Sequence, residues 1–419
     1  MVWQYYKKMT IEELKIQISD IVKTLKREKK QHLAECIEKN WNKTAAAYSK
    51  ELNSWEPSRP MEKELHSSFE KELERLGIID SLKIKILHSL QKKRVLQTAP
   101  HLVATESPRM FCINWLGSLG VKIPDFYVIA MFSGIPFSNN SHPGRINRKD
   151  GSINLFPSNI QDGLVFRSTI QNKLIESRKK IPAQINKLLP RAVAGESYTK
   201  WALLVCQKIE SEILKKENLV FIDINEVVSN YLIRVLRNTN HIFHKIFFDL
   251  KTRCEFMETF RDESIFNCAV MNGKYEKMEN MIFSVNSLKS KHKEILLADP
   301  KILISELENT RICPGLILSF MAIAFLNEFK CFGSFAQVEY LPLYQEKLAK
   351  LKFMKEFDIK KIPTANLTTG IFPDAVNFYP VDIIIDTGND KLKQKEKILL
   401  GELWLPMKDK LINGRQNKK

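Results

Sequence analysis

Gln97-Thr-Ala-Pro-His101, Thr105-Glu-Ser-Pro-Arg109 and the apolar run Phe126-Tyr-Val-Ile-Ala-Met-Phe132 form the stretch that decides the fold of this chain. Ser107 can accept hydrogen bonds from the first free amides of a helix, and Pro108 suits the first helical turn. The sequence therefore predicts a helix that begins here and ends before Gly120, followed by a buried strand. A helix followed by such a strand is half of an α/β unit, whose ligands bind beside the carboxyl ends of the strands.

Two later stretches repeat the pattern of an apolar strand, a turn and a helix. They are Leu219-Val-Phe-Ile-Asp223, with a helix restarting near Glu226, and Phe329-Lys-Cys-Phe-Gly333-Ser334, with a helix from Phe335. Strands that are joined by helical crossovers pair in parallel. We therefore predict an α/β fold with a Rossmann-like parallel sheet core, whose carboxyl ends carry Ser133, Asp223 and Gly333.

The regions on either side of this core have different patterns. Thr10-Ile-Glu-Glu13 is a capping box, and helical spacing of apolar residues continues from there through residue 96. An Arg-Lys-Asp-Gly turn between Arg145 and Phe156 predicts a hairpin, and residues 243–267 have a helical pattern. Residues 381–385 and 398–404 are predicted as strands divided by a charged loop. The predicted organisation is a helical region over 1–96, the core over 97–351 and an α+β extension over 352–419.

Composition limits the class of protein. The chain has 419 residues, of which 44% are apolar, so it can bury a substantial core. No signal peptide is visible, and the longest uncharged run, residues 312–327, is shorter than the ~20 residues that span a bilayer. We therefore expect no membrane segment. The seven cysteines include no CxxC pair, which is typical of reduced thiols in a cytoplasmic protein.

The net charge of +17 has two interpretations. One is a polyanionic partner or an acidic substrate. The other is a lysine-rich chain without a special partner, because the lysines are spread along the whole sequence. Nucleic acid is therefore a possible partner that no sequence motif supports.

Polar residues at strand ends and tight turns are the candidate site residues. His101 is a candidate general base, and Thr105 and Arg109 are candidates for binding a carboxylate or phosphate. Asp223 ends a strand, where catalytic or ligand-binding carboxylates occur, although helix caps occur there as well. The other candidates for substrate binding lie in loops after strands: Ser133, Asn140, His142, Arg145, Gly333 and Ser334. For all of these residues the alternative is a structural role in caps, turns and exposed loops.

Neither a metal nor a cofactor is indicated by the sequence. His241 and His244 have a spacing that metal ligands use on helices, but no third ligand stands near them, so a structural role is favoured. Walker, GxSxG, HExxH and GxGxxG motifs do not occur. The start of the helix after Gly333-Ser334 is suited to an anion.

Taken in order, these segments resemble the cysteine-adding enzyme family of bacillithiol biosynthesis over about residues 85–350. The segment from Pro100-His101 to Phe111 resembles the family's His-containing loop, residues 126–132 its central strand, and residues 219–232 its strand, aspartate and helix. Residues 313–340 resemble the segment that ends in the family's glycine-rich loop, with Ser334-Phe-Ala336 in place of Pro-Gly-Glu. Ser133-Gly-Ile-Pro136 replaces acidic and His residues of the family. The resemblance implies a Rossmann-like core with a crevice for a polar ligand.

The leading hypothesis is a ligase or transferase that forms a C–N bond between an amino acid, or a similar nucleophile, and a small polar acceptor. His101 would accept the proton, Arg109 and Arg145 would hold an anion, and Gly333-Ser334 would cradle a phosphate or carboxylate. The alternative is a non-catalytic binding protein whose basic surface contacts nucleic acid or another polyanion. The oligomeric state and the identity of the substrate do not follow from the sequence.

Overall fold

The structure is a computed structural model that describes residues 9–160, 162–373, 379–386, 392 and 394–413. The described helices, in chain order, are α1 (Ile11–Arg27), α2 (Gln31–Asn40), α3 (Ala45–Leu52), α4 (Lys63–Arg75), α5 (Asp80–Lys93), α6 (Pro108–Ser118), α7 (Asn172–Ser177), α8 (Ala183–Asn186), α9 (Tyr198–Leu214), α10 (Ile224–Val235), α11 (Ile242–Phe248), α12 (Leu250–Thr259), α13 (Pro300–Glu308), α14 (Leu316–Phe320), α15 (Phe335–Leu348), α16 (Pro380–Asp386), α17 (Leu400–Trp404) and α18 (Lys408–Asn413). The strands are β1 (Val95–Gln97), β2 (Tyr127–Met131), β3 (Arg145–Ile146), β4 (Ile153–Asn154), β5 (Leu219–Asp223), β6 (Phe266–Asn272), β7 (Tyr275–Ser284), β8 (Ser287–Lys289), β9 (Glu294–Leu296), β10 (Ile312–Pro314) and β11 (Lys330–Phe332).

A four-stranded parallel sheet is the centre of this mixed α/β fold. Its strand order is β11-β1-β2-β5, and its register pairs Gln97 with Phe332 and Met131 with Asp223. Because all four strands run the same way, their carboxyl ends meet at one edge of the sheet. The prediction that Ser133, Asp223 and Gly333 follow strand ends at the same edge is confirmed.

The first strand of the sheet corrects the sequence prediction, which continued a helix through residue 96. Helix α5 ends at Arg94, which has a left-handed backbone conformation with φ of 43° and turns the chain directly into β1. The Arg94 side chain is 1% exposed and donates to the carbonyl of Asn327 at 2.8 Å, so the turn is fixed by distant contacts. A strand of three residues, attached to a helix without a glycine or proline, has no separate signature in the sequence.

Two smaller sheets lie beside the parallel one. Strands β3 and β4 form the predicted hairpin, with Ile146 opposite Ile153. Five antiparallel strands form the other sheet in the order β10-β6-β7-β8-β9. Residues 266 and 267, predicted as the end of a helix, belong to β6, because Phe266 and Cys268 alternate into the core as strand residues do.

The carboxyl-terminal region also differs from its prediction. Residues 381–385 and 400–404 are helical in α16 and α17, whereas strands were predicted there. Val381 is fully buried and Ile383 is 5% exposed, and α16 packs on α8 and α9, so tertiary burial overrides the strand propensity of this Ile-rich run. The predicted charged loop falls largely on residues 387–391 and 393, which lie outside the described residues.

Local helix signals are confirmed where they were strongest. Thr10 and Glu13 form the reciprocal capping box of α1, and Ser107 accepts from the Met110 amide at the start of α6. Among the helices that the structure describes, none combines the length and the apolar character needed to cross a bilayer.

Candidate functional site at the carboxyl edge of the parallel sheet

The loops that follow β1 and β2 meet at His101. The backbone of His101 forms a parallel bridge with Phe132, which carries the pairing of the two strands into the loops. His101 Nδ1 lies 3.1 Å from Asn139 Oδ1, which also accepts from the Ser141 amide at 3.0 Å. An oxygen that already accepts one N–H must accept from the ring as well, so the proton of neutral His101 is on Nδ1. The lone pair is then on Nε2, the ring atom that can accept a proton.

The loop after β2, which contains Asn139, carries three further predicted site residues. Asn140 and His142 are exposed, and Arg145 is half-buried where β3 begins. His142 has a positive φ of 58°, and its amide donates to the carbonyl of Asn139 at 2.8 Å. Partial burial and the nearby Arg145 guanidinium hold the pKa of His142 below its usual value. The structure therefore places Asn140, His142 and Arg145 on the loop after β2, whose Asn139 contacts His101.

Thr105 connects the two loops from inside the protein. Its hydroxyl oxygen accepts from the Asn147 amide at 2.9 Å, and its side chain is 1% exposed. Asn147 Oδ1 in turn accepts from the Ser152 hydroxyl at 3.1 Å, within the β3–β4 hairpin. Thr105 was predicted to contact substrate, but its observed contacts fix the hairpin to the loop after β1.

Ser133 and Asp223 form a separate, closed cluster at the ends of β2 and β5. The Ser133 hydroxyl donates to Asp223 Oδ1 at 2.8 Å, and both side chains are fully buried. The Ser133 and Gly134 amides both donate to Asn225 Oδ1 at 2.9 Å. Asp223 also caps α10, so its contacts are those of the helix-cap alternative. The catalytic role proposed for Asp223 is untested and stays a prediction.

Asp223 lies beside an ion pair between Glu72 and Arg75 that was not predicted from the sequence. The Asp223 amide donates to Glu72 Oε1 at 2.8 Å, and Glu72 forms a two-point ion pair with Arg75. Burial raises the pKa of Asp223 to about 8, an effect that Arg75 opposes and that Glu226 and Glu72 reinforce. Glu72 is 1% exposed on the apolar face of α4, three residues after Phe69. The sequence signal for this ion pair was Glu72 itself, a charged residue at an apolar position of the helical repeat.

The space beyond β11 is filled by the chain itself. The Gly333 amide donates to the Asn366 carbonyl at 2.8 Å, and the Gly333 carbonyl accepts from the Thr368 amide at 3.0 Å. Gln337 Nε2 donates to the Thr98 hydroxyl oxygen at 2.8 Å across the ends of β1 and β11. Gly333 and Ser334 were predicted to cradle an anion, but residues 366–368 pair with the Gly333 backbone at that place.

A second buried cluster lies between α6 and α9. Asn114 Nδ2 donates to both carboxylate oxygens of Glu210 at 3.1 Å, and Glu106 and Glu210 are 2% and 1% exposed. Burial raises the pKa of Glu106 to about 8 against the attraction of Arg109, and burial together with Glu106 raises the pKa of Glu210 well above its usual value. Glu106 Oε1 and Asn114 Oδ1 accept no hydrogen bond from the residues described. Burial therefore favours the protonated form of both carboxyl groups.

This carboxyl pair was also missed from the sequence, although signals for it exist. Glu210 lies in the apolar stripe of α9, four residues after Cys206 and three before Ile213. Glu106 is next to Thr105 and three residues before Arg109, both of which were considered. Glu106 follows the loop that carries His101 in the chain, and Arg109, in the first turn of α6, attracts Glu106.

His241 and His244 have structural roles. His241 caps α11 through Nδ1, and its Nε2 lies 3.2 Å from the Tyr231 hydroxyl. His244 Nδ1 contacts the Leu236 carbonyl at 2.7 Å. Within the described ranges, no three His, Cys, Asp or Glu side chains are grouped so that they could hold a metal ion.

The carboxyl edge thus has one cluster open to solvent, around His101, and three closed polar clusters. No protein-family model matches the chain, and no curated protein is significantly similar to it in sequence. The loop cluster of His101, Asn139, Asn140, His142 and Arg145 is therefore the candidate functional site on geometric grounds.

Proposed function

We propose that this protein is a ligase or transferase that joins an amino acid, or a similar nucleophile, to a small polar or anionic acceptor. The arrangement of strands supports a Rossmann-like core, because the first strand lies between the second and the fourth, and the third lies beyond the second. This order occurs in one half of doubly wound sheets, whose ligands bind at the carboxyl edge. The resemblance to the cysteine-adding enzyme family of bacillithiol biosynthesis points to the same reaction class.

The observation that carries the proposal is the contact between His101 Nδ1 and Asn139 Oδ1 at 3.1 Å. It fixes the ring at the rim of the sheet and presents Nε2 as the basic atom. A histidine is suited to accept a proton near neutral pH, and positioning by a second side chain is typical of a general base. His101 is half-buried, so part of its side chain remains accessible to a substrate.

The proposed reaction uses His101 and two arginines. The ammonium group of the nucleophile first loses a proton to bulk water. The neutral amine then forms the C–N bond, and one of its two N–H protons passes to His101 Nε2. The bond from the acceptor carbon to its leaving group breaks, and the leaving group departs with the electron pair and takes the proton from His101. Arg145 and Arg109 hold a carboxylate or phosphate of the substrates, a task for which the planar guanidinium is suited.

The closed clusters change the roles that were assigned from the sequence. We propose that Ser133 and Asp223 support the site by joining the ends of β2 and β5, since neither side chain is exposed. We propose that Arg109 and Arg145, rather than Gly333 and Ser334, bind the anion. The crevice for substrate is accordingly between the loops after β1 and β2, rather than beyond β11.

The test begins with native mass spectrometry of the full chain purified under mild conditions, which identifies a co-purifying small molecule. Arg145→Ala is expected to weaken binding of that molecule by about 10- to 100-fold, the loss of one charged hydrogen bond. His101→Ala should retain binding and lose turnover when amino acids are supplied with the molecule. Arg167→Ala and His88→Ala, on other parts of the surface, are the matched controls. Equal binding by the Arg145 variant and its control would remove the loop from the site.

A further inference from the structure

Residues 169–195 form a separate feature that the proposed enzyme site does not use. This segment contains six basic residues and one acidic residue, Glu176, so its net charge is +5 of the +17 of the whole chain. Five of its cations are exposed: Lys173, Lys179, Lys180, Lys187 and Arg191. None of the five forms an ion pair with a residue that the structure describes. We call these five side chains the basic surface.

The basic surface is displayed on a fixed frame. Leu174, Ile181, Ile185 and Leu189 alternate with the cations and are buried, at 7% exposure or less. The sixth basic residue, Arg178, is turned inward, where its guanidinium donates to Asn186 Oδ1 and to the Pro190 carbonyl. The Ser177 hydroxyl donates to the Asn154 carbonyl at 2.9 Å and attaches the segment to the β3–β4 hairpin. The exposed cations therefore lie on short turns that are anchored from below.

Exposed cations held close together repel one another, and a bound anionic ligand would remove this repulsion. Like charges at short sequence spacing repel each other, and this segment has one acidic side chain to offset them. A chain of regularly spaced anions would neutralise several cations at once and release its own counterions.

The composition of the segment decides which polyanion fits. No aromatic residue occurs between Phe166 and Tyr198, so the surface offers no ring on which an unpaired base could stack. Among its large apolar side chains Ile175 alone is exposed, at 36%, whereas a helix that binds membranes keeps a whole apolar face to insert. The remaining mode of binding is contact between the cations and phosphodiester groups. Such contacts bind the backbone of a duplex and do not depend on its sequence.

We infer that the basic surface binds the phosphate backbone of a nucleic-acid duplex without sequence preference. This function is independent of the proposed catalysis, because none of the five cations belongs to the loop around His101.

The experiment measures binding of the full chain to a duplex of about 30 base pairs at several salt concentrations. Each phosphate contact contributes about 0.9 to the slope of log affinity against log salt, so engagement of three to five cations predicts a slope of roughly −3 to −4.5. The variant K179E/K180E should reduce the magnitude of the slope by about 2 and weaken binding at least ~10-fold at low salt. Two mixed-sequence duplexes, one of DNA and one of RNA, should bind alike.

The matched control is K15E/K23E, which changes the net charge equally through two exposed lysines of α1. An equal loss of affinity in both variants would show that only the total charge matters, and the inference would be wrong. Strong preference for single strands, or tighter binding to polyglutamate or to vesicles with phosphatidylserine, would overturn it as well. Circular dichroism checks folding, and the milder variant K173Q/K187Q repeats the test if K179E/K180E is unfolded.

Discussion

At the scale of single residues, a distinctive feature of this protein is a set of three carboxyl groups that are almost fully buried. Asp223, Glu106 and Glu210 are all at most 2% exposed. A buried carboxylate without full pairing is costly, and the protein lowers this cost by keeping the groups protonated near neutral pH. Asp223 Oδ2 and Glu106 Oε1 accept no hydrogen bond from a described residue, which agrees with neutral carboxyl groups.

The first prediction concerns the pH dependence of stability. Burial raises the pKa of Glu106 to about 8 in the folded protein, whereas the unfolded group titrates near its ordinary value. The folded state thus binds more protons than the unfolded state between about pH 4 and pH 8, so stability falls as the pH rises through this window. Glu106→Gln removes one titrating group, and we expect a flatter profile of unfolding free energy from pH 5 to pH 8.

The size of this effect is of the order of a few kcal/mol, since each pKa unit corresponds to about 1.4 kcal/mol. The measurement is urea unfolding at a series of pH values. Glu217→Gln, which changes an exposed carboxylate just after α9, is the control and should leave the profile of the wild type unchanged. Identical profiles for the Glu106 variant and the wild type would show that Glu106 is ionised in the folded protein.

The second prediction separates structural from ligand-binding roles of Ser133. Ser133→Ala removes the hydrogen bond to Asp223 Oδ1 inside a fully buried cluster. We expect a loss of about 1–3 kcal/mol in unfolding free energy, because the buried Asp223 Oδ1 loses one of its two donors and keeps the Asn225 amide. Ser138→Ala, on the exposed part of the same loop, serves as the comparison in urea unfolding. An unchanged free energy for Ser133→Ala would instead favour the role in substrate binding.

At the scale of elements, helix α16 holds the hairpin that carries part of the candidate site. Asp382 is 3% exposed and accepts from the Lys149 amide at 2.7 Å and from Arg148 Nε at 3.4 Å. These two donors are in the turn between β3 and β4, and Arg145 begins β3. The hairpin has only two paired residues on each strand, so contacts from α16 must supply much of its order.

The third prediction is that Asp382→Ala loosens this hairpin and leaves the parallel sheet intact. A hydrogen bond to a charged group contributes about 1.5–3 kcal/mol, so the Lys149 amide should exchange with solvent about 10- to 100-fold faster. Hydrogen exchange with mass spectrometry resolves the hairpin peptide from the peptide of β2. Asp150→Ala removes an exposed carboxylate 3.9 Å from the same Arg148 and should have little effect. Equal protection in both variants would show that α16 does not hold the hairpin.

At the scale of the whole molecule, the carboxyl-terminal extension is built into the core. The Tyr48 hydroxyl donates to the Leu367 carbonyl at 2.8 Å, and Trp404 Nε1 donates to the Thr369 carbonyl at 2.7 Å. Residues 366–369 are thus held between the helices near the amino end, the edge of the parallel sheet and helix α17. Such contacts couple the stability of distant parts of the chain, because each one loses its partner when the other unfolds.

The fourth prediction is that most of the cysteine thiols react slowly in the native protein because they are buried. All seven cysteines are free, six are buried, and Cys254 is half-buried. Burial raises the pKa of each buried thiol, with Cys331 at about 12, so few thiolates form at neutral pH. We expect a thiol reagent to modify Cys254 first in the native protein and all seven cysteines in denaturant. Fast native modification of Cys206 or Cys313 would show that the core opens readily.

The sequence by itself determined those parts of the fold that short-range interactions specify. The capping box at Thr10 and the Ser107 cap are local hydrogen bonds between residues three apart. The strands around Val128 and Phe221 are apolar runs with a turn and a helix after them, and helical crossovers make such strands parallel. The loop after β2, with His142 and Arg145, was predicted in the same way because it follows a predicted strand, whereas His101 was predicted from its place before the helix at Pro108.

Only the tertiary structure decided the features that depend on contacts between distant segments. Strand β1 exists because Val95 pairs with Lys330, and α16 is helical because Val381 is buried against other helices. The pairing of Gly333 with Asn366 and Thr368 engages backbone groups that the strand pattern had offered to an anion. The pKa values of Glu106 and Glu210 are raised because folding buries two carboxyl groups that are far apart in the chain. Burial and pairing at such distances depend on the packing of the complete chain, which no local pattern encodes.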